Sequence, residues 1–497
     1  MNLLMTMDIG TTGVKICVLD ERFKISAKVG SEYILETAAS RVELNPQIYL
    51  DAIFEGIQKL SNYISLQDVI GISITTQGET IIPVAEDGTL LYNAVVWLDG
   101  RANEEASYIN EKVDGAFFYD KTGIPECNAL CPVCKLLWFK NNEKAVYEKT
   151  KYFLLLEDFI IWTLTGRFVT EKSLLSTTGY FDIIKDELWQ EIFAILDLDM
   201  QKIPTAMDCG EVVGTITSEI AKQTGLSENV KVVTGAMDQV CGAIGAGNYD
   251  SDLITETTGT ALCIGATKKM GSVDQSYFIP VYRHYSHQLQ LLLPVSMTAG
   301  MALKWFKDVF CQEEEIQARE KGQSVYDYLG ELAKTSPPLA HGLQVLPYFS
   351  GSIQPIYAPE GKASFCGVGL HTTKADFIRA IMEGVGYMLR ENVALLEEIT
   401  GKKAEYVMAM GGGANSALWN QVKADILGIS IVVPHEKETA SQGAAMLCAV
   451  GLKLYASIED AYQALKLDKT EYDPNKELIE AYQQGFETYS KRSEVNL

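Results

Sequence analysis

Asp8 ends an apolar run and stands directly before a turn of small residues with the sequence IGTTG. Residues 3–7 and 14–19 have the composition of two strands, which predicts a hairpin with a carboxylate beside its turn. Glycine lets the backbone approach closely, and successive amides with the Thr11 and Thr12 hydroxyls can donate hydrogen bonds to phosphate. Asp8 can hold Mg2+ through water. Nucleotide binding and a plain β-turn are equal readings of this segment.

Residues 253–264, LITETTGTALCI, repeat this pattern of strand, Thr/Gly turn and strand. The residues of the second turn are Thr258, Gly259 and Thr260. Two hairpins of this type half a chain apart predict a duplicated architecture, with one domain over residues 1–247 and another over residues 248–497. Facing domains leave a cleft, and clefts at domain boundaries are favoured small-molecule sites.

A third glycine cluster, GGGANS, follows the strand-like residues 406–410 and opens into a helix. Gly412 and Gly413 allow the backbone to pass against a flat ring or a phosphate. Asn415 can cap the helix or hydrogen-bond a ligand. Taken alone, the motif favours a structural strand-to-helix turn over a binding loop.

Polar side chains follow two further predicted strands. Residues 69–75 deliver Gln77 and Glu79 to a strand end, and the segment NAVVWLDGRA runs from a strand into a loop with Asp99 and Arg101. Ligand groups are usually mounted at strand ends in α/β sheets. These four side chains can fix several vicinal hydroxyls of a polyol. A supporting salt bridge between Glu79 and Arg101 is an equal alternative.

Asp238 follows the apolar strand predicted over residues 231–236 and precedes a Gly/Ala-rich helix start. If Asp238 has only a structural role, that role is to cap the N-terminus of this helix. Asp158 also lies near a predicted helix start, and there a capping role is favoured over substrate contact. The sequence further predicts a strand over residues 24–35, a helix opened by Asn45-Pro46, and helices over 135–149 and 155–164.

The overall charge argues against polyanionic partners. The 497 residues contain 42 Lys and Arg and 65 Asp and Glu, so the formal net charge is 42 minus 65, or -23. This surplus repels nucleic acid and anionic lipid. No run of eighteen apolar residues occurs, and the early Asp8 interrupts a signal-peptide pattern, which predicts a cytoplasmic protein without nucleic acid or membrane partners.

Ten cysteines are scattered without a framework, which is typical of a reducing compartment. Cys127, Cys131 and Cys134 contain a CxxC pair. A structural zinc site needs four ligands, and the sequence has no second pair or nearby histidine to complete one. Buried or incidental thiols are therefore favoured over a metal site.

With its three glycine elements in this order, the chain resembles the FGGY carbohydrate kinases, a branch of the actin-like ATPase superfamily. PVCKLLWFKNN, residues 132–142, matches the first family signature in its Pro, Lys, Trp and polar end, although Leu130 departs from it. Residues 363–383 match the second signature throughout. The helical spacing of Phe377, Ala380 and Ile381 indicates core positions, so this motif identifies the family without being catalytic.

The resemblance implies an α/β fold of two RNase-H-like domains flanking a deep cleft, with the sugar held mainly by the first domain and ATP mainly by the second. Asp238 would be the general base and would contact the sugar, while Asp8 would anchor Mg2+. The residues implied to hold ATP are Thr11, Thr12, Thr258, Gly259, Thr260, Gly412, Gly413 and Asn415. The remaining sugar contacts would be Gln77, Glu79, Asp99 and Arg101.

We therefore expect an ATP-dependent kinase acting on a primary hydroxyl of a small sugar, with a ketopentose such as xylulose first and glycerol or another polyol second. WLDGR resembles the WNDGR of xylulokinases, whereas TTQGET resembles the QRET of glycerol kinases with Gly78 in place of Arg. A non-catalytic sugar or nucleotide sensor and a chaperone-like ATPase are the alternative classes. Dimers are common in the family, and a homodimer stays open because no heptad repeat selects an oligomeric state.

Overall fold

A computed structural model describes residues 2–250, 253–354 and 356–496 of the chain. The terminal residues of the two predicted domains, 1 and 497, lie outside this described part. Its strands are β1 (Leu3–Ile9), β2 (Gly13–Leu19), β3 (Ile25–Glu32), β4 (Glu36–Ala38), β5 (Arg41–Leu44), β6 (Val69–Thr76), β7 (Ile81–Val84), β8 (Ala94–Val95), β9 (Tyr152–Leu155), β10 (Val169–Glu171), β11 (Phe181–Asp182), β12 (Glu187–Leu188), β13 (Thr205–Met207), β14 (Val212–Thr215), β15 (Lys231–Met237), β16 (Ile254–Thr258), β17 (Leu262–Lys269), β18 (Val281–Arg283), β19 (Leu289–Leu292), β20 (Val295–Ser296), β21 (Gln344–Leu346), β22 (Ser364–Cys366), β23 (Tyr406–Met410), β24 (Ser430–Pro434) and β25 (Lys469–Tyr472).

The helices of the same residues are α1 (Pro46–Leu60), α2 (Asn103–Lys112), α3 (Gly115–Thr122), α4 (Pro132–Asn142), α5 (Lys144–Lys149), α6 (Leu156–Thr165), α7 (Lys172–Leu175), α8 (Gln190–Ile195), α9 (Ser218–Thr224), α10 (Asp238–Gly245), α11 (Gly300–Phe310), α12 (Gln312–Glu320), α13 (Val325–Ala333), α14 (Lys374–Thr400), α15 (Ala417–Leu427), α16 (Thr439–Gly451), α17 (Ile458–Leu465) and α18 (Ile479–Asn496).

Two large mixed sheets share one arrangement. The first has the order β14-β15-β6-β1-β2-β3, and the second has the order β18-β19-β17-β16-β23-β24-β25. In each sheet a hairpin (β1 with β2, or β16 with β17) pairs antiparallel, and the first strand of that hairpin pairs parallel with a later strand, β6 or β23. The predicted α/β fold with a duplicated, RNase-H-like sheet is confirmed, while the boundary between residues 247 and 248 stays a prediction.

The first hairpin forms as its sequence predicts. Its turn is closed by the Gly10 amide, which donates to the Gly13 carbonyl at 3.0 Å. Gly13 is required because a Cβ atom there would lie 2.7 Å from the Ser31 carbonyl oxygen of β3. The register places Lys15 directly opposite Asp8. The hairpin therefore brings a cation beside the carboxylate at the strand end.

Helix α1 begins where the Asn45-Pro46 signal predicts, because the Asn45 side chain accepts a hydrogen bond from the Gln47 amide and Pro46 occupies the first turn. The predicted helix over 135–149 is instead two helices, α4 and α5. Glu143 between them has φ -124° and ψ 53°, which is not helical. The Asn142 side chain donates to the Trp138 carbonyl at 3.1 Å and so competes with the backbone ladder at the end of α4.

Helices α10 and α16 pack against each other and so join the two halves of the chain. Helix α16 also packs against β1 and β6. Glycine makes this contact close. A Cβ atom on Gly443 would lie 1.9 Å from the Cys241 carbonyl oxygen, and one on Gly245 would lie 1.9 Å from the Thr439 carbonyl oxygen. The two backbones therefore touch with no room for a side chain between them. Asp238 stands at the start of α10, directly at this junction.

We predict that Gly443→Ala lowers the free energy of unfolding by about 1–3 kcal/mol, because the added methyl group forces α10 and α16 apart. Gly330→Ala is the matched control, since Gly330 is also helical but a Cβ atom there meets nothing within 4 Å. The control should be neutral or stabilising by up to about 1 kcal/mol. Thermal unfolding of both variants measures the difference, and equal melting temperatures would contradict the close-packing explanation.

Candidate active site

Asp8 and Asp238 line one cavity between the two halves of the chain, with a volume of about 240 Å³. Asp8 lies near the end of β1, and Asp238 is the first residue of α10, directly after β15. Both strands belong to the first sheet, where β6 lies between them. The opposite wall is formed by β16, by the Met410-Gly411 turn and by the start of α16. Two acidic side chains that are far apart in sequence therefore meet in one crevice.

The electrostatics of Asp238 suit a proton acceptor. Removal from water and the nearby Asp8 charge raise the pKa of Asp238 to about 7. Its Oδ1 accepts a hydrogen bond from the Gln239 amide at 2.6 Å, so the side chain is oriented by the first turn of α10. A carboxyl group whose pKa lies near neutral pH can accept a proton in one step and release it afterwards.

Asp8 is only 13% exposed and faces Lys15, whose Nζ lies 3.3 Å from Asp8 Oδ2. The same ammonium group donates to Glu438 Oε2 at 2.6 Å. Burial raises the pKa of Asp8, and the neighbouring Lys15 counteracts this rise. Lys15 thus connects the first hairpin with the segment that precedes α16. Sequence reasoning missed Lys15, although counting the register across the GTTG turn places it opposite Asp8.

A second cavity of about 510 Å³ adjoins the first across the 410–413 turn. Its wall contains six of the predicted nucleotide residues, which are Thr258, Gly259, Thr260, Gly412, Gly413 and Asn415. Apolar side chains, including Met301, Met382 and Trp419, line the remainder. A cavity of this size with a flat apolar wall and a glycine-rich rim suits a nucleoside.

The turn of the second hairpin is rigid. Thr258 is buried, and its hydroxyl contacts a buried ion pair in which Lys423 Nζ donates to Glu256 Oε1 at 2.6 Å. Gly259 accepts a hydrogen bond from the Gly300 amide at 2.8 Å, which docks the start of α11 against the turn. The Thr258 hydroxyl is therefore committed to the protein, and the backbone of this turn is the part that faces the cavity.

Asn415 is exposed toward the second cavity and does not cap α15. The cap is Ser416, whose hydroxyl accepts a hydrogen bond from the Trp419 amide at 3.3 Å. The predicted capping alternative for Asn415 is therefore wrong. Gly411 has a φ of 74°, and a Cβ atom there would lie 2.9 Å from Thr257 Cγ2, so glycine is needed where the turn crosses the second hairpin.

The predicted phosphate residues Thr11 and Thr12 lie in the turn of the first hairpin, a few residues after Asp8. Thr11 Oγ1 accepts a hydrogen bond from Trp97 Nε1 at 2.9 Å. Thr12 is exposed, and its carbonyl accepts from the Tyr33 amide at 3.0 Å. The Tyr33 hydroxyl donates to the Gly10 carbonyl. These contacts hold the turn from both sides while the Thr12 side chain faces solvent.

Gln77 and Glu79 lie in a tight turn after β6. Gln77 is buried, and its Nε2 donates to Thr80 Oγ1 at 3.3 Å. Glu79 has a φ of 57°, in the left-handed region that is uncommon for a residue with a side chain. Removal from water raises the pKa of Glu79 to about 7; nearby Lys135 lowers it and nearby Asp238 raises it. The Glu79 carboxyl group therefore lies close enough to Asp238 for their charges to interact.

Asp99 and Arg101 form a buried pair. Asp99 Oδ1 accepts from Arg101 Nε at 2.8 Å, and Asp99 Oδ2 accepts from the Val42 amide at 2.5 Å. Burial acts to raise the pKa of Asp99, but these hydrogen bonds outweigh it and lower the pKa. Among the described residues the ion pairs of Arg101 are with Asp99 and Glu43, so the predicted alternative of a Glu79–Arg101 salt bridge is wrong.

Two further predictions concern residues outside the crevice. Asp158 Oδ2 accepts a hydrogen bond from the Leu155 amide at 2.8 Å at the start of α6, which confirms its capping role. Cys127, Cys131 and Cys134 are buried, as predicted for structural thiols, and Cys127 Sγ lies 3.5 Å from Cys134 Sγ. Ala380 and Ile381 of the second signature are buried in α14, as core residues should be.

This arrangement suits phosphoryl transfer between two bound molecules. A nucleoside-sized cavity adjoins a crevice with two carboxylates, and both are built on duplicated sheets that face each other. Transfer of a phosphoryl group depends on positioning and charge neutralisation more than on covalent help from the protein. Fold and site together define the class of a two-domain sugar kinase.

Comparison with known proteins agrees with this class. The family model for the FGGY family of carbohydrate kinases, N-terminal domain, matches residues 3–245, and that for the C-terminal domain matches residues 256–452. The chain therefore belongs to the FGGY family of carbohydrate kinases, whose members use ATP, and it is a carbohydrate kinase.

Its relatives differ in substrate. A xylulose kinase of Bacillus subtilis is 28% identical over 98% of this chain and 96% of its own length. A gluconokinase of the same organism is 27% identical over 93% of this chain and 89% of its own length. The ligand-bound xylulose kinase of Lactobacillus acidophilus superimposes with a TM-score of 0.90 at 26% identity, covering 100% of this chain and 98% of that one. Relatedness alone therefore leaves the sugar open.

In the part of the chain that the structure describes, none of the helices combines the length and the apolar character that crossing a membrane requires.

We predict that Asp238→Asn lowers kcat by about 10²- to 10⁴-fold, which is the usual contribution of a general base. Asparagine keeps the oxygen that accepts from the Gln239 amide, so the start of α10 should remain intact. ATP binding, measured by titration calorimetry, should stay within a few-fold of the wild type. Near-normal turnover of a folded variant would remove Asp238 from the mechanism.

We predict that Gly412→Val weakens ATP binding by at least about tenfold, because a Cβ atom on Gly412 meets nothing within 4 Å and a branched side chain would occupy space in the second cavity. Gly271→Val is the control, since Gly271 also has open space but does not line that cavity. Both variants should melt close to the wild type. Unchanged ATP affinity of Gly412→Val would place the nucleotide elsewhere.

Proposed function

We propose that this carbohydrate kinase transfers the γ-phosphoryl group of ATP to a primary hydroxyl of a ketopentose, with xylulose as the first candidate. One observation carries the proposal. Asp8 and Asp238 converge in a crevice that adjoins the nucleoside-sized cavity across the 410–413 turn. A sugar hydroxyl in the crevice would face the end of a triphosphate whose nucleoside occupies the larger cavity.

The reaction follows from this placement. Asp238 accepts the proton of the sugar hydroxyl as the hydroxyl oxygen forms a bond to the γ-phosphorus, and the bond between that phosphorus and the β-γ bridging oxygen breaks to release ADP. A pKa of about 7 leaves a large fraction of Asp238 ionised at neutral pH and able to act as the base. We expect backbone amides and hydroxyls of the two hairpin turns to donate hydrogen bonds to the phosphates.

Asp8 is the residue proposed to hold Mg2+, and its oxygen chemistry fits that ion. When bound, Mg2+ neutralises charge on the phosphates. Lys15, at 3.3 Å from Asp8 Oδ2, supplies a second positive charge at the same strand end. The protein therefore offers both a hard oxygen ligand and a cation where the triphosphate must lie.

The charge of the crevice favours a neutral sugar over an aldonate. The Asp238 charge raises the pKa of Glu79, so these two carboxyl groups lie near each other, and the adjacent cation Lys135 is committed to backbone carbonyls. Arg101 is likewise committed to Asp99 and Glu43. A gluconate carboxylate placed beside Glu79 and Asp238 would meet like charges, and this repulsion would cost binding free energy. Xylulose carries only hydroxyl and carbonyl groups, which acidic side chains can bind.

We expect a coupled ADP-release assay to show the highest kcat/KM for xylulose among xylulose, ribulose, glycerol and gluconate. Asp238→Asn serves as the background control. A preference for gluconate or glycerol would overturn the substrate assignment while leaving the kinase class in place. ADP release that no sugar or polyol stimulates, together with tight ligand binding, would favour a sensor on the same fold.

A further inference from the structure

Lys135, the lysine of the first family signature, is completely buried in α4. Its Nζ donates to three backbone carbonyls, those of Glu79 at 3.0 Å, Val96 at 3.1 Å and Trp97 at 3.4 Å. An ammonium group has three donors, so each can have its own acceptor. A buried charge is expensive unless it is satisfied in this way, which indicates a specific task for this side chain.

The three carbonyls belong to the two loops that carry the predicted sugar contacts. Glu79 lies in the turn after β6, while Val96 and Trp97 lead into the loop with Asp99. The two loops also contact each other, because the Trp97 amide donates to Thr80 Oγ1 at 3.2 Å. Lys135 is therefore the point at which helix α4 is joined to both loops at once.

The contact with Glu79 falls at a strained position. Glu79 adopts a φ of 57°, and non-glycine residues persist in this region only where their surroundings hold them. The adjacent turn is tight, since the Thr80 amide donates to the Gly78 carbonyl at 2.8 Å and a Cβ atom on Gly78 would lie 3.1 Å from Thr177 Oγ1. A hydrogen bond from Lys135 to the Glu79 carbonyl fixes the peptide that follows this φ angle.

We infer that Lys135 is a positioning residue for sugar binding: it holds the Glu79 turn and the Trp97 loop in one arrangement. This inference rests on the proposed function of the crevice. It assigns Lys135 no contact with substrate. Its effect passes to the sugar through Glu79, while the nucleotide cavity lies on the other half of the chain and is lined by none of these residues.

The ionisation of Glu79 depends on groups from several elements. Lys135 and Cys131 face it from α4 or its cap, Asp238 from α10 and Tyr282 from β18. Burial raises the pKa of Glu79 and Asp238 raises it further, whereas Lys135 lowers it to a net value of about 7. Loss of the Lys135 charge must therefore raise the pKa of Glu79, so that Glu79 becomes protonated at a higher pH.

The test compares Lys135→Met, which keeps the unbranched stem but removes the three donors, with Lys140→Met. Lys140 lies on the same helix, but it is partly exposed and bonds to Asp197 at 2.7 Å. We expect Lys135→Met to raise KM for xylulose by about 10- to 100-fold, as loss of hydrogen bonds from a charged group does. KM for ATP should change less than about threefold. Lys140→Met should leave both values unchanged.

The pH profile separates positioning from a general structural role. The acid limb of kcat/KM for the sugar should move to higher pH in Lys135→Met, whereas a merely loosened fold would lower the whole profile without moving it. Glu79→Gln in the Lys135→Met background should add little further loss, because both changes remove the same ionised carboxylate from the crevice. Independent, additive losses would overturn the inference, as would equal increases of KM for sugar and for ATP.

If Lys135→Met does not fold, Lys135→Arg tests the same claim, since it keeps the charge but spreads its donors over a planar group that cannot match three carbonyls converging on one atom. A selective rise of the sugar KM is again expected, and unchanged sugar KM would overturn the inference. The proposed function fails separately, if the wild-type protein shows no xylulose-stimulated ADP release.

Discussion

Asp8 and Asp238 are carboxyl groups that meet in one crevice, and Glu79 lies close enough to Asp238 for their charges to interact. The remainder of the site depends on how the repulsion among these three groups is managed. Removal from water raises the pKa of each of them. Two lysines offset this effect, Lys15 beside Asp8 and Lys135 beside Glu79. For Asp238, burial and the nearby Asp8 charge raise the pKa to about 7. This value suits the carboxyl group that we propose as the proton acceptor.

The two sheets give this crevice its shape. In each sheet the first strand of a hairpin pairs parallel with a later strand, and the turn of the second hairpin lines the larger cavity. The contact between α10 and α16 sets the distance between the halves, because Gly245 and Gly443 let the helix backbones touch. Asp238 is the first residue of α10, and Glu438 directly precedes α16. A change at this contact would therefore reach Asp238 directly.

The features of the fold that depend on nearby residues could be predicted from the sequence. The GTTG hairpin, the Asn45-Pro46 helix start and the strand before Asp238 depend on turn chemistry and apolar periodicity, which nearby residues decide. Among the predictions that failed, one depended on a distant partner and another on which of two adjacent residues caps a helix. Arg101 pairs with Glu43, which is 58 residues away, rather than with Glu79. The cap of α15 is Ser416 instead of Asn415, because the preceding glycine turn sets which residue stands first in the helix.

The sequence by itself determined the duplicated hairpins, the identity of the acidic residues and the membership of a kinase family. Each of these depends on a short segment in which the residue types and their spacing are sufficient. Only the tertiary structure decided which acidic residues share a crevice and which cations they face. Lys135 illustrates the difference. Its place in a family signature is visible in the sequence, but its task depends on three carbonyls 38 to 56 residues away. Burial and electrostatics act through space, so they become defined only when the chain has folded.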